Sequence, residues 1–215
     1  MKNLLRNGRF LIGLAGIGLL VTLGATQAIV EQAIAANKEE LKWGPMFEVD
    51  PLWPKPLPNH WVVGAVIGVA VDDRDHVWIV HRDSTLNAGE IEASTDPKVA
   101  VDCCVAAPPV LEFDQAGNLV GHWGGPGEGY EWPEANHGIT VDYKGNVWIG
   151  SSGAEDAQVL KFTMNGNFLL QVGRPGMAGG NHDMSNFSRP TKIFVDPRAN
   201  EAYVADGYGN RRVVV

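Results

Sequence analysis

The sequence contains few cysteines and few basic residues, and both shortages limit what the protein can be. Its two cysteines, Cys103 and Cys104, are adjacent among 215 residues. Adjacent Cα atoms lie about 3.8 Å apart, below the usual disulfide range of about 4.4–6.8 Å, so we expect two part-buried thiols unless they pair with another chain. Lysine and arginine total 17 against 25 acidic residues, a net charge of −8. Without basic stripes, nucleic-acid binding is excluded as the main role.

Long helical patterns and familiar catalytic motifs are also missing. After residue 36 no stretch of useful length shows the hydrophobic period of an amphipathic helix. The sequence contains no Gly-x-x-x-x-Gly-Lys-Ser/Thr, His-Glu-x-x-His or Gly-x-Ser-x-Gly, which argues against a P-loop, a helical zinc-protease site and a hydrolase nucleophile turn. Glycine and proline are instead abundant, with 26 and 13 residues. This composition favours short elements joined by tight turns.

The N-terminus carries a targeting segment. Basic residues within the first nine positions precede an apolar run over residues 10–30, and small residues follow at 33–36. This order indicates an export signal with an A-x-A-like cleavage site. The run also approaches the length of about 20 residues that crosses a bilayer, so an uncleaved membrane anchor is the alternative. We predict residues 1–36 as a signal peptide or N-terminal membrane anchor. The rest of the chain is then exported, periplasmic or secreted.

One sequence pattern recurs after a proline-rich lead-in over residues 37–66. An apolar strand ends in aspartate, a turn follows, and a second strand carries an aromatic residue. The aspartates of the three copies are Asp72, Asp142 and Asp196. A second strand–turn–strand pattern follows twice, over residues 110–120 and 159–169. Each pattern is typical of a β-hairpin, and we expect the aspartates to stabilise the turns rather than to bind a metal.

Two such hairpins make a four-stranded unit. The repeated aspartates lie 70 and then 54 residues apart, near the period of about 40–50 residues of propeller blades with some insertion. We therefore predict an all-β fold, with residues 67–215 forming a partial β-propeller of about three blades. Because propellers close with about four to eight blades, and the sequence stops within an apolar strand at Val215, we expect these residues to belong to a longer protein.

Three polar residues stand where propeller blades converge on the central channel. His137 precedes the strand that begins at Gly138, Tyr208 lies in a Gly-rich turn, and Arg82 ends a strand. Each residue also has an ordinary structural explanation: a histidine whose hydrogen bonds are satisfied within the fold, a tyrosine that packs against its neighbours, or an arginine that is solvated at the surface. We predict that the three side chains converge on one polar pocket at one mouth of the channel.

Four segments, in order, resemble the peptidyl-α-hydroxyglycine α-amidating lyase family, and the blades resemble NHL repeats. They are Gly68-Val-Ala-Val-Asp leading to His81-Arg82, His137-Gly-Ile, Phe187-Ser-Arg-Pro-Thr-Lys-Ile and Val204-Ala-Asp-Gly-Tyr-Gly-Asn-Arg-Arg-Val. The resemblance runs from about residue 60 to the end. It implies a six-bladed propeller lyase that splits a C-terminal α-hydroxyglycine into a peptide amide and glyoxylate.

The resemblance also implies roles for individual residues. Arg82 matches the arginine that engages the substrate, Tyr208 the proposed base and His137 one zinc-binding histidine. The backbones of Val69 and Ile139 match carbonyl ligands of a structural calcium. The other zinc histidines and the calcium aspartate belong to later blades, which this sequence does not contain, so we expect this part alone to be inactive and to bind zinc weakly or not at all.

One departure from the family concerns a disulfide. Vertebrate members join the positions that match Ser188 and Gly209 by a disulfide, and neither position is cysteine here.

Three functions stay open at this stage. The first is a metal-dependent lyase that acts on a small-molecule or peptide substrate. The second is a non-catalytic propeller scaffold that binds a peptide, glycan or protein partner, with possible membrane association of the N-terminal segment. The third is a calcium-dependent hydrolase of the lactonase type, which needs channel acids that the expected strand starts do not show.

Overall fold

The computed structural model describes residues 27–32, 47–91 and 103–215. The chain divides into two compact units, residues 1–50 and 51–215. In the first unit, residues 27–32 are helical, while the rest of the predicted targeting segment lies outside the described residues. Within the described ranges, no helix is long and apolar enough to cross a membrane.

Almost all of the regular secondary structure in the second unit is β-strand. In chain order these are β1 (Trp61–Val62), β2 (Ala65–Val71), β3 (Val77–Arg82), β4 (Val105–Ala106), β5 (Val110–Phe113), β6 (Leu119–Trp123), β7 (Asn136–Val141), β8 (Asn146–Ser151), β9 (Gln158–Thr163), β10 (Phe168–Gly173), β11 (Lys192–Asp196), β12 (Glu201–Asp206) and β13 (Arg212–Val214). A 3₁₀ turn over Asp83–Thr85 follows β3.

The strands form successive antiparallel sheets in chain order. The first sheet has the order β2-β3-β5-β6, the second β7-β8-β9-β10 and the third β11-β12-β13. The short strands β1 and β4 form a separate parallel pair. The inner strand β7 contacts both β2 and β11. The predicted all-β propeller architecture, present here in part, is confirmed, and so are the two predicted hairpins around Gly117 and Gly166.

The repeated aspartates close the first turn of each sheet, as predicted. Oδ1 of Asp72 accepts the backbone N–H groups of Arg74 and His76. Its Oδ2 accepts the indole N–H of Trp78, which lies six residues after the aspartate. Asp142 in the second sheet accepts the equivalent hydrogen bond from the indole N–H of Trp148 at 2.9 Å. The two tryptophans therefore occupy equivalent places, and the carboxylates serve the turns.

The apolar core lies between neighbouring sheets. The first cluster joins the first two sheets through Trp78, Val80, Val110, Ile139, Val147, Ile149, Leu160 and Phe162. The second joins the second and third sheets through Trp148, Val159, Phe187, Ile193 and Val204. On the other face of the first sheet, Leu111 and Phe113 pack against Trp53, Leu57 and Trp61 of the proline-rich lead-in. Face-to-face packing of this kind supplies the hydrophobic stabilisation of a propeller.

The Sγ atoms of Cys103 and Cys104 lie against each other, and the two Cα atoms are 3.1 Å apart. The state expected for the two thiols stays a prediction.

Candidate functional site

The three predicted site residues come together although they lie in three different sheets. Arg82 ends β3, His137 lies in β7 and Tyr208 lies in the turn after β12. The Tyr208 Oη is 3.4 Å from Nε2 of His137, and the two rings meet edge to face with centroids 5.5 Å apart. Arg82 reaches the same place, since its Nε donates to the Asn136 carbonyl at 2.9 Å and its Nη2 to Ser152 Oγ at 2.7 Å. The structure thus forms one cluster from three sheets, in which His137 and Tyr208 are 71 positions apart in the sequence.

A buried histidine fixes the end of the strand that carries Arg82. His81 is fully buried, and its Nδ1 accepts the backbone N–H of Gly64 at 3.2 Å. Its Nε2 lies 3.0 Å from the Pro108 carbonyl, which can only accept, so Nε2 carries the proton. Burial lowers the pKa of His81. The neutral ring therefore holds two loops against the strand beside Arg82.

The turn that presents Tyr208 is held by a buried carboxylate. Asp206 is fully buried and accepts three bonds, from the Ser188 backbone N–H, Asn210 Nδ2 and Arg212 Nε. The Arg212–Asp206 ion pair is 2.8 Å long. Because the turn is anchored from both sides, the ring of Tyr208 can stay beside His137 although it is 58% exposed.

Close packing also explains the glycine after Tyr208. The Gly209 backbone N–H donates to the Ser188 carbonyl at 3.0 Å. A Cβ at Gly209 would collide with the Ser188 side chain. The two positions that a disulfide joins in the resembled vertebrate proteins are therefore in direct contact here, joined by a backbone hydrogen bond.

A second arginine, which the sequence analysis did not select, completes the cluster. Arg189 has a φ of +64°, in the left-handed region that is uncommon for a residue with a side chain. Its backbone N–H donates to the Asp156 carbonyl at 2.8 Å, and its Nε donates to the Ser152 carbonyl at 3.2 Å. Its guanidinium carbon lies 5.8 Å from the centre of the Tyr208 ring. Both Arg82 and Arg189 therefore meet at Ser152.

Arg189 stands in the segment Ser-Arg-Pro, just before a proline. That segment carried part of the family resemblance, but sequence alone gave no reason to place this guanidinium over Tyr208. The left-handed backbone, the bond to Asp156 and the bond from Nε to the Ser152 carbonyl direct it there.

The electrostatic surroundings keep His137 neutral. Burial is the main cause that lowers the pKa of His137, and the positive charge of Arg82 lowers it further. A neutral imidazole has one ring nitrogen with a free lone pair. In the tautomer that carries its proton on Nδ1, the Nε2 atom that faces Tyr208 can accept a proton or serve as a metal ligand.

One buried acceptor beside the cluster has no partner. Asn136 is 3% exposed, and its Nδ2 donates to the His81 carbonyl at 3.1 Å. Its Oδ1 makes no hydrogen bond within the described part of the chain. An unsatisfied buried acceptor costs about 1–3 kcal/mol, and because this atom is itself buried it offers no exposed acceptor to a ligand.

The two backbones predicted to bind calcium lie at equivalent positions of neighbouring inner strands. Val69 in β2 is 60% exposed, whereas the side chain of Ile139 in β7 is fully buried. Lys192 Nζ donates to the Ile139 carbonyl at 2.6 Å. Lys192 is exposed as a residue, yet desolvation of its ammonium lowers its pKa. The ligand roles predicted for these two carbonyls stay predictions.

His137 is the zinc ligand that the resemblance implies. A catalytic zinc takes about three protein ligands. Over residues 47–91 and 103–215, no grouping of three His, Cys, Asp or Glu ligand atoms includes His137. The described residues therefore offer one nitrogen ligand but do not complete a zinc site.

A grouping of three potential metal ligands does occur elsewhere, in the first sheet. Ligand atoms of Asp72, His76 and Glu112 lie within 4.8 Å of one another. The Arg74 guanidinium lies between the two carboxylates, 2.6 Å from an oxygen of each. Burial alone would raise the pKa of Asp72, but hydrogen bonds from Trp78 and Arg74 outweigh it and lower the pKa to about 2. Arg74 already supplies the positive charge that an ion would bring.

Comparison with known proteins adds relatives at low identity. No family model matches the chain. The chain is 28% identical over 155 residues to mouse peptidyl-glycine alpha-amidating monooxygenase, covering 70% of this chain and 15% of that protein. It is 27% identical over 187 residues to peptidyl-glycine alpha-amidating monooxygenase A of Xenopus laevis, covering 86% of this chain and 19% of that protein.

A third relative carries the repeat in its name. The chain is 26% identical over 178 residues to mouse NHL repeat-containing protein 3, covering 79% of this chain and 43% of that protein. The chain thus spans less than half the length of each of these relatives. The successive sheets give the chain the architecture of a partial β-propeller, and the chain is similar to an NHL repeat-containing protein.

Proposed function

We propose that this protein is an exported lyase that cleaves a peptidyl-α-hydroxyglycine to a peptide amide and glyoxylate. The observation that carries the proposal is the 3.4 Å approach of Tyr208 Oη to His137 Nε2, with Arg82 bonded to the residue before that histidine. The similarity to the amidating monooxygenases of mouse and Xenopus laevis supports it. The apolar run over residues 10–30 supports export.

The reaction breaks one carbon–nitrogen bond and needs no oxidant, reductant or water. The substrate R–CO–NH–CH(OH)–COO⁻ loses the proton of its hydroxyl group, and the oxygen electrons form the carbonyl of glyoxylate. The electron pair of the breaking C–N bond stays on nitrogen, which takes up a proton. The products are R–CO–NH₂ and OHC–COO⁻. One group must therefore remove a proton at oxygen, and a proton must reach nitrogen.

Tyr208 and His137 are placed for the two proton transfers. In the proposed reaction, Tyr208 Oη takes the hydroxyl proton. The Arg189 guanidinium lies beside its ring, and Arg82 and Arg189 both bond to Ser152. His137 is close enough to exchange a proton with Tyr208 directly. In this scheme the pair moves one proton from substrate oxygen towards the leaving nitrogen.

The two arginines would bind the carboxylate of the substrate. Arg82 and Arg189 meet at Ser152, and arginine binds carboxylates in a fixed geometry. An α-hydroxyglycine carries such a carboxylate.

Metal ions enter this proposal only through the residues that can bind them. A zinc ion bound at His137 would act as a Lewis acid on the substrate oxygen. Among the described residues, no grouping of three His, Cys, Asp or Glu ligands includes His137, and no step above depends on either ion.

The test is glyoxylate release from an N-acylated α-hydroxyglycine by the purified full-length protein. We expect release that Tyr208→Phe lowers by about 100-fold, because general base catalysis contributes about 10²–10⁴. Arg189→Gln should raise KM more than it lowers kcat. Tyr143→Phe, at an exposed tyrosine in another turn, is the control and should change neither. Wild-type release no faster than that of Tyr208→Phe would contradict the proposal.

The second candidate function is a non-catalytic scaffold that binds a peptide, glycan or protein partner. The incomplete ligand set around His137 favours it. A scaffold would bind a non-cleavable acylglycine, or another ligand, without producing glyoxylate. Calorimetry with the acylglycine beside the glyoxylate assay therefore separates the two functions.

A further inference from the structure

A lysine breaks the repeat where the second and third sheets meet. Gly68 and Gly138 stand four residues before the turn aspartates Asp72 and Asp142. Lys192 stands four residues before Asp196 and so takes the equivalent place in the third sheet.

The neighbouring strands approach each other closely at this position. A Cβ at Gly138 would collide with the carbonyl of Thr191, the residue before Lys192. The glycine is required there because backbone from the third sheet lies against it. Lys192 therefore emerges where two inner strands are almost in contact.

The lysine ammonium binds the backbone of the neighbouring strand. Lys192 Nζ donates to the Ile139 carbonyl at 2.6 Å, and in return Thr140 Oγ1 donates to the Ile193 carbonyl at 2.6 Å. Two side chain–carbonyl bonds in opposite directions thus join β7 to β11. Hydrogen bonds with a charged donor are shorter and stronger than neutral ones, so the lysine bond is the stronger of the two.

A cationic side chain bound to a backbone carbonyl places a positive charge on that oxygen, as a bound metal ion would. Calcium prefers carbonyl and carboxylate oxygens as ligands. An ammonium 2.6 Å from the same oxygen repels a second cation, because like charges a few ångströms apart interact strongly outside bulk water. The Ile139 carbonyl therefore does not suit a calcium ion while Lys192 is bound to it.

We propose that Lys192 is a built-in cation that joins the inner strands of the second and third sheets and takes the place of a calcium ion at the Ile139 carbonyl. The proposal concerns the stability of the propeller. It does not rest on the lyase activity, and its test does not use that activity.

The test is thermal unfolding of the full-length protein in EDTA and in millimolar calcium, with metal content measured by mass spectrometry. We expect the wild-type Tm to be the same in both and no stoichiometric calcium to remain after dialysis. Lys192→Met keeps the length of the side chain and removes the charge. It should lower the Tm by about 2–4 °C, the shift that a loss of about 1 kcal/mol causes in a domain of this size.

Two controls keep the result specific. Lys192→Arg keeps the positive charge and should retain most of the wild-type Tm, even if Lys192→Met fails to fold. Arg198→Met removes an exposed cation from the turn between β11 and β12 and should leave the Tm unchanged. A wild-type Tm that falls in EDTA together with one bound calcium per chain would overturn the proposal, and so would a Lys192→Met variant with the wild-type Tm.

Discussion

The first two sheets contain the same repeat, yet the same repeat position meets different surroundings in each. Val69 and Ile139 both follow the glycine that opens the inner strand, but Val69 is 60% exposed and Ile139 is fully buried. The strand β7, which carries Ile139, contacts the inner strands β2 and β11 on its two sides. Among the described strands, β2 contacts one other inner strand, β7. The repeat therefore determines the strand, and the neighbouring sheets determine what each position contributes.

The largest expected effect concerns this pair of positions. Ile139→Ala removes a buried side chain from the first core cluster and should lower the free energy of unfolding by about 4 kcal/mol. Val69→Ala should cost less than about 0.5 kcal/mol, because that side chain is mostly in water. Urea denaturation of both variants measures the difference. An equal loss at Val69 would show that another surface covers that position in the full-length protein.

A second comparison concerns the turn aspartates of the second and third sheets. Asp142 accepts the backbone N–H groups of Lys144 and Asn146 and the Trp148 indole N–H. Asp142→Ala should therefore cost about 3 kcal/mol, since it leaves several donors unpaired.

Two variants serve as controls for that effect. Asp196 accepts one backbone N–H, from Arg198, so Asp196→Ala should cost about 1 kcal/mol. Asp142→Asn keeps an acceptor and should lose less than Asp142→Ala. Chemical denaturation in urea gives all three values. Equal losses for both alanine variants would show that the indole bond adds nothing.

The smallest effect concerns the buried histidine of the first sheet. The pKa of His81 is lowered by burial from 6.5, so below about pH 6.5 the unfolded chain binds a proton that the folded chain does not. Stability should therefore fall as the pH is lowered from about 7 to about 5, and His81→Asn should flatten this dependence. Exposed His182 provides the control variant, His182→Asn, which should keep the wild-type slope. A slope that survives in His81→Asn would assign the effect to other groups.

Much of the fold was predictable because its signals are local. The turn aspartates hydrogen-bond backbone groups two and four residues later, so their sequence spacing reports the turn directly. The alternation of apolar residues predicts the strands that these turns join.

The candidate site was predictable only in part. Arg82, His137 and Tyr208 could be selected because each stands at a recognisable place in its own repeat and matches a family motif. Arg189 was missed, because its guanidinium reaches Tyr208 through a left-handed backbone conformation, the bond to Asp156 and the bond from Nε to the Ser152 carbonyl. Asn136 was also missed, since a missing hydrogen-bond partner is a property of three-dimensional packing.

The sequence by itself determined the strands, the turns and the repeat that places Trp78 and Trp148 alike, because these depend on contacts within a few residues. The tertiary structure alone decided that β7 is covered on both sides and that Lys192 binds the Ile139 carbonyl. It also decided that the residues selected from three repeats meet at one place. Such contacts join positions about fifty to seventy residues apart, and only the packing of one sheet on the next fixes their distances.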